Sequence, residues 1–438
     1  MKLSFILPLF LALILLITID FLSIISMTLF LSLGLLLCNI FFKSENKMQY
    51  LAVFSFYTII AILVYFSNIN EFPLNYGCTG SEIGGTDDLF FFQEATNNGF
   101  SYRGDRSSYM NTYSIILQQV HFFLSIFKTT NLIDLIFVNI LFISFIPFFV
   151  RKITYSFSKH KKTAQLAFYL AICSSFIMQN SLVLVRDGIT ASLFIGVFYF
   201  LINRKYILLL LLLLGLFYLR IVSGILCVFF IISYVFYIER SKKFLIFILI
   251  FSGIFLIFLP LFLTYFDQIG ILNSGFFRQE FFEMMKYNAS GSSGAITIYS
   301  LPYYLRIPLG TLYYIGTPFI NLQGIFSNDH LTLRHLFDLF YGVTFLFYSV
   351  YLLKAFFIKK KPILLFFLSS FFCFSILFSQ ISLQIRHKTL IMPLVFIIVA
   401  LSYYEPTLKS WKNKIVILMT FSLFTLQFFY NLKNFLTW

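Results

Sequence analysis

Charged side chains are scarce in this sequence of 438 residues, of which Lys, Arg, Asp and Glu make up only 11%. An ordinary soluble domain carries about 25% charged residues, so the composition excludes that class of protein. Hydrophobic residues make up 60% of the chain, and they recur in runs of about 18 to 20 residues, the length that spans a bilayer. The sequence therefore predicts a polytopic integral membrane protein whose backbone is helical wherever it meets lipid.

Cysteine and histidine are also few, with five residues of each. The cysteines form no CxxC pair and the histidines form no HExxH pattern, so neither common signature of a zinc site is present. We interpret the cysteines as small residues of the apolar core. The net charge of +15 would suggest a nucleic-acid partner in a soluble protein. In a membrane protein it indicates basic cytoplasmic loops instead, and we expect no nucleic acid.

The apolar runs place the predicted membrane spans. The first run begins at the N-terminus and no small-residue cleavage site follows it, so we interpret it as an uncleaved span rather than a signal peptide. We expect an all-α fold of about 12 to 14 transmembrane helices, forming a single membrane domain over residues 1–438 with no separate soluble domain. The predicted spans lie near 4–19, 21–42, 49–67, 131–150, 164–182, 188–202, 206–219, 221–238, 244–265, 336–353, 362–380, 389–404 and 415–435.

The distribution of basic residues predicts the orientation, because cytoplasmic loops accumulate Lys and Arg. With the N-terminus in the cytoplasm, the inner loops and Lys2 hold 20 of the 32 Lys and Arg residues but only three of the 17 Asp and Glu residues. The outer side then carries two long loops, 68–130 and 266–335. The inner loops in this scheme are 43–48, 151–163, 203–205, 239–243, 354–361 and 405–414.

This orientation requires that residues 301–325 do not cross the membrane as one span. Three prolines, together with Gly310 and Gly316, interrupt the helical pattern of this segment. We therefore predict a re-entrant or kinked hairpin that is buried in protein at membrane depth. A proline-kinked full span, with the span count shifted elsewhere, is the alternative.

The unusual charges collect at the predicted outer face. A charge near the bilayer core costs about 2.5 to 3.5 kcal/mol, so such residues usually pair, line a cavity or bind a ligand. Arginine suits phosphate because its planar guanidinium donates two parallel hydrogen bonds. We therefore predict a phosphate or pyrophosphate group at the outer leaflet, bound by Arg186, Arg220, Arg306, Arg386, His387 and Lys388.

Each of these residues also has a structural interpretation. Arg186 with Asp187 is explained equally by an ion pair that caps the next helix. Arg220 is explained by a side chain that extends to the outer headgroups. The Arg386, His387 and Lys388 stretch is explained by an interfacial anchor, and Arg306 by a structural role in the hairpin.

Two adjacent carboxylates, Asp87 and Asp88, precede a phenylalanine-rich run in the first outer loop. A carboxylate at this place can take a proton from a sugar hydroxyl, or hold a divalent metal that binds the phosphates of a donor. Glu94 and Asp187 are candidate supporting residues, and Glu94 is expected to share the face of the acidic pair if the helix begins at Asp88. The alternative is that the pair only caps the following helix.

Three stretches together resemble the multi-span glycosyltransferases of the GT-C type, and especially the bacterial O-antigen, capsule and exopolysaccharide repeat-unit polymerases. These stretches are the acidic pair Asp87 and Asp88, the "LVRDG" sequence from Leu184 to Gly188, and the "RHK" sequence from Arg386 that is followed by Pro393. The resemblance implies an enzyme that acts on undecaprenyl-linked sugars at the outer face of the bacterial cytoplasmic membrane. Its catalytic carboxylate would be Asp87 or Asp88, which would also be the ligands of any divalent metal.

The same resemblance implies the partners. The substrate would be a lipid-linked oligosaccharide, the surroundings membrane lipids, and the neighbours in the pathway a flippase and a chain-length regulator. Two alternatives stay open. One is a GT-C transferase that adds a single sugar from a polyprenyl-phosphate donor. The other is a flippase or transporter of lipid-linked oligosaccharides, which would carry charges through the depth of a central cavity.

Overall fold

The structure is a computed structural model, and all of the secondary structure in the residues that it describes is helical. The membrane character that the composition predicts is supported by the long apolar helices. The described residues are 3–42, 46–71, 76, 78, 87–96, 112–129, 131–239, 297–316, 333–358, 362–381, 385–405 and 410–436.

Up to residue 239, the part of the chain that the structure describes contains twelve α-helices. A π-helical turn, Val235–Glu239, follows the last of them. The helices are α1 Leu3–Ile17, α2 Ser23–Phe42, α3 Lys47–Glu71, α4 Asp87–Thr96, α5 Thr112–Ser125, α6 Leu132–Ile143, α7 Ile146–Ser158, α8 Lys161–Ile172, α9 Ser175–Ser181, α10 Asp187–Ile202, α11 Tyr206–Leu219 and α12 Ile221–Tyr234.

The later part of the chain continues the helical pattern. A 3₁₀-helix, Ile385–Leu390, precedes the penultimate α-helix. The helices of this part are α13 Tyr303–Gly316, α14 Leu333–Phe357, α15 Pro362–Ile381, α16 Met392–Tyr403 and α17 Ser410–Leu436.

Five helical stretches of the described chain are long and apolar enough to cross a membrane. Five shorter apolar helices, of 10 to 17 residues, accompany them. The coarse prediction of a helical membrane protein is therefore supported, while the finer GT-C likeness stays a prediction. The five long stretches are Ser23–Phe42, Lys47–Ile69, Leu132–Ser158, Leu339–Phe357 and Pro362–Ser379.

Most predicted spans correspond to observed helices, but three details differ from the sequence expectation. The predicted span at 164–182 is divided into α8 and α9. The predicted span at 131–150 is built from α6 and α7, with Ser144 and Phe145 in a turn between them. Pro308 and Gly310 lie inside α13, so the helix is not interrupted at either residue. The rest of the predicted hairpin, 317–325, and the predicted span at 244–265 lie outside the described residues.

The chain divides into two compact units. The first comprises Met1–Gly224, Pro318–Ile358 and Thr389–Trp438. The second comprises Ile225–Thr317 and Lys359–Lys388.

Phenylalanine and tyrosine form much of the core of the first unit, as the aromatic content leads one to expect. Phe41 and Phe42 of α2 pack against Phe145 and Phe149, with ring centroids 5.2 to 6.4 Å apart. Tyr199 of α10 lies 5.4 Å from both Phe42 and Phe149. Offset and edge-to-face pairs of this kind add roughly 0.5 to 1.5 kcal/mol each beyond the area that they bury.

The interpretation of the cysteines as core residues is right for three of them and wrong for two. Cys38, Cys78 and Cys227 are buried, whereas Cys173 and Cys373 are exposed. In a membrane protein, exposure of an apolar side chain costs little where it contacts lipid, because lipid tails are as apolar as the side chain itself.

Contacts within the first unit pair segments that the sequence predicts on the cytoplasmic side. Arg151, in the second predicted inner loop, donates from Nη1 to Gln49 Oε1 at 2.7 Å and also bonds Asn46 Oδ1. Lys354 donates to the carbonyl of Glu405 at 2.9 Å. Each contact joins residues in or directly beside predicted inner loops, and the order of crossings stays a prediction.

Segments that are predicted on the outer side meet in the same way. Asn131, before α6, donates from Nδ2 to Asp20 Oδ2 at 2.8 Å, and Asp20 lies between α1 and α2. Arg186 donates to the carbonyl of Leu219 at 3.1 Å.

Candidate functional site

The site in the first unit is organised by a helix break at Arg220. Helix α11 ends at Leu219 and α12 begins at Ile221, while Arg220 between them has an extended backbone with φ −160° and ψ 98°. A helix end leaves its last carbonyls without intrahelical donors. Here the side chain of Thr112 donates to the carbonyl of Tyr218, and Arg186 donates to that of Leu219. The carbonyls at the break therefore hold the side chains of Thr112 and Arg186 beside Arg220.

Arg220 forms an ion pair with Asp187. Its Nη1 atom lies 2.7 Å from Asp187 Oδ1, and the two side chains are 15% and 6% exposed. Asp187 is the first residue of α10, where the positive end of the helix dipole favours a carboxylate. Arg186 thus hydrogen-bonds Leu219, and the next residue, Asp187, pairs with Arg220. These contacts hold two guanidinium groups close together where α10 begins, α11 ends and α12 begins.

Gly188, the last residue of the "LVRDG" stretch, allows α10 to pack closely against its neighbours. A Cβ atom at this position would lie 2.5 Å from the Cβ of Ser181 and 2.8 Å from Cγ2 of Ile143. Real Cβ atoms do not approach other carbons so closely, so a larger residue would push α10 away from α6 and α9. The glycine therefore sets the position of Asp187 and Arg186.

Asn139 and Tyr113 support the segment that precedes Asp187. Asn139, which is fully buried in α6, donates from Nδ2 to the carbonyls of Val183 and Val185 at 2.6 and 2.9 Å. Its Oδ1 atom accepts a hydrogen bond of 2.9 Å from the hydroxyl of Tyr113. One amide therefore links α5, α6 and the non-helical residues before α10.

Asp88 lies in the first turn of α4, and its side chain is buried at 2% exposure. One carboxylate oxygen accepts from the N–H of the next residue, Leu89, at 3.0 Å, which is not the bond to N2 or N3 that an N-cap residue makes. Helix α4 packs on α5 through Phe91, whose ring meets that of Tyr113 edge-on at 4.9 Å. Asp88 is thus held against the same helix that carries Tyr113.

The pKa of the Tyr113 hydroxyl depends on several charged side chains around it. Burial raises the pKa of Tyr113 above its usual range, and the negative charges of Asp187 and Asp88 raise that pKa further. The hydrogen bond to Asn139 and the positive charge of Arg186 act in the opposite direction. Asp88, Arg186 and Asp187 therefore lie within electrostatic range of one tyrosine, and Arg220 is paired with Asp187.

Glu94 lies on a different side of α4 from Asp88. Six residues separate them, which at about 100° per residue leaves them about 120° apart around the helix. Asp87, seven residues before Glu94, lies only about 20° from it, so the expected shared face holds for Asp87 and not for Asp88. The carboxylate of Glu94 accepts a hydrogen bond from Ser114, and Gln118 donates to its main-chain carbonyl at 3.0 Å. Burial raises the pKa of Glu94, and its contacts join α4 to α5.

Asp87 is the first residue of α4, but its side chain lies outside the described residues. Within the part of the chain that the structure describes, no group of three or more His, Cys, Asp and Glu side chains is placed to hold a metal ion. Cys78 is a neighbour of Asp88, because the pKa of its thiol is raised by burial and then by the Asp88 charge. Asp87 and Asp88 stay the candidates for a divalent metal.

The remaining predicted site residues, Arg306, Arg386, His387 and Lys388, belong to the second unit. Arg306 of α13 is buried at 7% exposure, and Lys388 at 2%. Lys388 donates from Nζ to the carbonyl of Ile315 at 2.8 Å and lies 5.6 Å from the centre of the Tyr314 ring. Helix α13 ends one residue later, where its dipole attracts a cation. Burial lowers the pKa of Lys388 well below its usual value.

His387 and Arg386 are partly buried in the 3₁₀-helix. The His387 ring lies 6.2 Å from that of Phe378 of α15. The hydroxyls of Thr311 and Ser379 are 3.2 Å apart and join α13 to α15. The predicted phosphate-binding residues are therefore divided between the units. Arg186 and Arg220 belong to the first, and the other four belong to the second. Their convergence on one substrate stays a prediction.

The sequence interpretation missed three polar residues of the first unit: Thr112, Tyr113 and Asn139. Asn139 did carry a signal, because it is a lone amide in the apolar run of α6, where an unpaired polar group is costly. Thr112 and Tyr113 carried none, because their roles depend on contacts with residues 106 and 26 positions away.

No family model, curated protein or solved structure matches the chain. The arguments for its function therefore rest on the residues and contacts described above.

Proposed function

We propose that the protein is a membrane glycosyltransferase of surface polysaccharide synthesis, and that it joins undecaprenyl-pyrophosphate-linked oligosaccharides into a polymer. The reaction would take place at the outer face of the bacterial cytoplasmic membrane. The observation that supports this most is the pairing, at helix ends, of Arg186 with Leu219 and of Asp187 with Arg220. Asp88 lies within electrostatic range of the tyrosine on which Arg186 and Asp187 also act.

Arg220 is the residue best suited to a phosphate. A guanidinium carries five N–H donors in a planar fork, and the contact to Asp187 Oδ1 uses one nitrogen. The ion pair keeps the plane of the group oriented, so that little side-chain entropy is lost when a second anion binds. Arg186 adds a second guanidinium beside it. Two oriented cations stabilise the charge that develops on a leaving phosphate, an effect often worth about 3 kcal/mol.

The proposed reaction breaks one bond and forms one. A hydroxyl oxygen of the acceptor sugar attacks the anomeric carbon of the donor sugar, and the bond from that carbon to the pyrophosphate oxygen breaks. The electron pair of this bond leaves with the undecaprenyl pyrophosphate, whose charge the arginines stabilise. The proton of the attacking hydroxyl passes to a carboxylate, for which Asp88 is the candidate.

Asp88 suits this role because it is a carboxylate on the first turn of a short helix, within electrostatic range of the tyrosine on which Arg186 and Asp187 also act. Asp87 is the second candidate, since it precedes Asp88 on the same helix. If a divalent ion binds, these two residues would hold it, and it would supply further charge stabilisation for the phosphates. Arg306, Arg386, His387 and Lys388 of the second unit are proposed to bind the lipid-borne phosphate of one substrate.

The membrane placement of the site suits a substrate that is part lipid and part sugar. The polyprenyl chain stays among membrane lipids, while the pyrophosphate and sugars lie at the ends of the helices. A flippase that delivers the substrate and a regulator of chain length are the expected partners in the same pathway.

The decisive experiment measures the length of surface glycan in cells that carry single substitutions. Arg220→Gln and Asp88→Asn each remove one charge and keep hydrogen-bonding capacity. Arg204→Gln is the matched control, because Arg204 is exposed in a predicted inner loop. We expect single repeat units in place of long chains for the first two variants, and normal chains for the control. Normal long chains in both site variants would refute the proposal.

Other results of the same experiment identify the rival functions. Chains of normal length that lack one branch sugar would indicate a transferase of a single sugar from a polyprenyl phosphate. Accumulation of the lipid-linked repeat unit on the cytoplasmic leaflet would indicate a flippase.

A further inference from the structure

Two connections between helices of the first unit carry five exposed cations. Lys159 follows α7 and Lys161 and Lys162 begin α8, while Arg204 and Lys205 connect α10 to α11. None of the five forms an ion pair with a carboxylate of the described residues. Neither connection contains an Asp or a Glu in the sequence. We call these five residues the basic patch.

The two connections lie at the same end of the packed helices. The ring of Phe157 in α7 stacks on that of Phe198 in α10, with centroids 6.5 Å apart. Ser192, near the start of α10, donates to the carbonyl of Phe142 at 2.6 Å, so the apolar stretch Leu132–Ser158 and α10 run in the same direction. A helix rises about 1.5 Å per residue, so α7 ends about 1.5 Å and α10 about 6 Å beyond the stacked rings. The five cations therefore gather at one end of these helices.

Backbone geometry and hydrogen bonds order both connections. Lys159 and Arg204 adopt left-handed backbone conformations, with φ 58° and 56°. The main-chain N–H of Lys159 donates to the carbonyl of Tyr155 at 2.9 Å, and that of Lys205 donates to the carbonyl of Phe200 at 2.9 Å. The ammonium group of Lys205 lies 6.0 Å from the centre of the Phe200 ring, at the outer limit of a cation–π contact. The cations are therefore carried by fixed turns.

Two tyrosines indicate that the basic patch lies at the level of the lipid headgroups. Tyr155 precedes Lys159 by one helical turn, Tyr206 follows Lys205 directly, and both tyrosine side chains are 42% exposed. Tyrosine is enriched where a membrane meets water, because its ring is apolar and its hydroxyl is polar. Cations at this level face the phosphate groups of the surrounding lipids.

An exposed apolar stripe on α11 begins beside the basic patch. Ile207, Leu210, Leu211 and Leu214 are 45% to 79% exposed, and their spacing of three and four residues places them on one side of the helix. Ile207 follows Lys205 by two residues. In a membrane lipid chains cover such a stripe, so a ligand that fits both surfaces has an anionic head and an apolar tail. A soluble anion, a nucleic acid or an acidic protein would satisfy the cations alone.

We propose that the basic patch binds the phosphate headgroup of an anionic phospholipid, whose acyl chains lie along the exposed stripe of α11. Clusters of about four to eight Lys and Arg residues beside membrane helices attract acidic lipids in this way. The lysines donate to phosphate oxygens as point charges, and Arg204 can donate two parallel hydrogen bonds. The ligand is a lipid of the surrounding bilayer and not the lipid-linked sugar, so the proposal does not rest on the proposed function.

The test uses the purified full-length protein in a neutral detergent and two lipids with the same acyl chains, phosphatidylglycerol and phosphatidylcholine. Only phosphatidylglycerol carries a net negative charge. A ligand that binds the native state stabilises it by RT ln(1 + [L]/Kd), so a titration of Tm gives an apparent Kd for each lipid. We expect phosphatidylglycerol to raise Tm at concentrations where phosphatidylcholine does not. The difference should shrink in about 1 M NaCl, where the Debye length is about 3 Å. Equal shifts from the two lipids at low salt would overturn the proposal.

Two double variants locate the site, one in each connection. They are Lys161→Gln with Lys162→Gln, and Arg204→Gln with Lys205→Gln. All four side chains are exposed, so the fold should be retained. Each cation near an anionic headgroup contributes about fivefold to the affinity, so each double variant should raise the Kd for phosphatidylglycerol by roughly 25-fold.

The matched control removes two charges elsewhere. Lys128→Gln with Lys414→Gln changes two exposed lysines outside the basic patch, and it should leave the Kd for phosphatidylglycerol unchanged. A double variant of the patch that binds this lipid as tightly as the control does would overturn the assignment of its connection to the site.

Glycerol 3-phosphate separates a lipid ligand from a soluble anion, because it has the phosphate of the headgroup without acyl chains. We expect it to leave Tm unchanged at concentrations where phosphatidylglycerol is saturating. If it stabilises the protein as strongly as the lipid does, the stripe of α11 contributes nothing and the lipid assignment is wrong.

Discussion

Arg220 and Asp187 meet at 2.7 Å although 33 residues separate them in the sequence. Their contact connects the start of α10 to the break between α11 and α12. Both side chains are largely buried, so each compensates a charge that would otherwise be poorly solvated.

The first prediction concerns the energy of this pair. Because removal of one partner leaves the other charge buried, Arg220→Gln and Asp187→Asn should each lower the free energy of unfolding by about 3 kcal/mol. The double variant should cost clearly less than the sum of the two. A double-mutant cycle on purified protein, with unfolding followed by circular dichroism, measures the coupling. Strictly additive costs would mean that the contact contributes no pairing energy.

The second prediction separates the two acids of α4. Asp88→Asn should keep the fold, since the Asn oxygen can still accept from the N–H of Leu89, and should reduce glycan polymerisation by at least about 100-fold, a typical general-base contribution. Glu94→Gln is the matched control, because Glu94 contacts Ser114 on another side of the helix. Glycan length and the amount of folded protein are measured for both. Equal polymerisation in the two variants would remove Asp88 from the reaction.

The sequence predicted helix positions well where apolar runs are bounded by charge. Helix α11 coincides with its predicted span, 206–219, because Arg204 and Lys205 precede the run and Arg220 follows it. At Pro308 the prediction of a helix break was wrong. Proline is tolerated in membrane helices when neighbouring groups satisfy the freed carbonyl, and such tertiary contacts are not visible in a local pattern.

The candidate site was predictable in its members but not in its pairings. Arg220 and Asp187 were identified because charges in apolar surroundings are costly, yet nothing local showed that they bind each other. Tyr113 was missed because a tyrosine in a chain with 27 of them carries no signal. Its role depends on the hydrogen bond to Asn139, which only the packing of α5 on α6 creates.

The third prediction tests the support that Asn139 gives to the segment before α10. Asn139→Ala leaves the carbonyls of Val183 and Val185 and the hydroxyl of Tyr113 without their partner. Tyr113→Phe leaves only the Asn139 oxygen unpaired, which should cost about 1 to 3 kcal/mol. We expect the alanine variant to be less stable than the phenylalanine variant, as measured by thermal unfolding in detergent. The reverse order would contradict the role assigned to the amide.

The fourth prediction concerns the close packing at Gly188. An added Cβ would overlap Ser181 and Ile143, so Gly188→Ala should destabilise the protein by about 1 to 3 kcal/mol, as overpacking usually does. Gly215→Ala is the matched control. Its Cβ would meet only Leu193 Cδ1, at an ordinary 3.6 Å. In thermal unfolding, the Tm of Gly188→Ala should be lower than that of Gly215→Ala. A Gly188→Ala protein as stable as the control would disprove the packing argument.

The last prediction follows from the buried ammonium group of Lys388. Because burial lowers its pKa, the native protein binds this proton more weakly than the unfolded chain does. Stability rises with pH wherever the unfolded state binds more protons. The contribution of Lys388 should therefore become more favourable as pH rises from the lowered native pKa towards about 10.4, the ordinary value for lysine. Lys388→Met keeps the length and the apolar body of the side chain and does not titrate.

The measurement is the difference in Tm between wild type and Lys388→Met over that pH range in one detergent. We expect this difference to shift in favour of wild type with increasing pH. Lys205→Met provides the control, because Lys205 is an exposed lysine in the other unit. A Lys388 difference that stays constant with pH, or moves towards the methionine variant, would mean that the native protein does not disfavour the ammonium form. Lys388 would then be free to keep its charge beside the carbonyl end of α13.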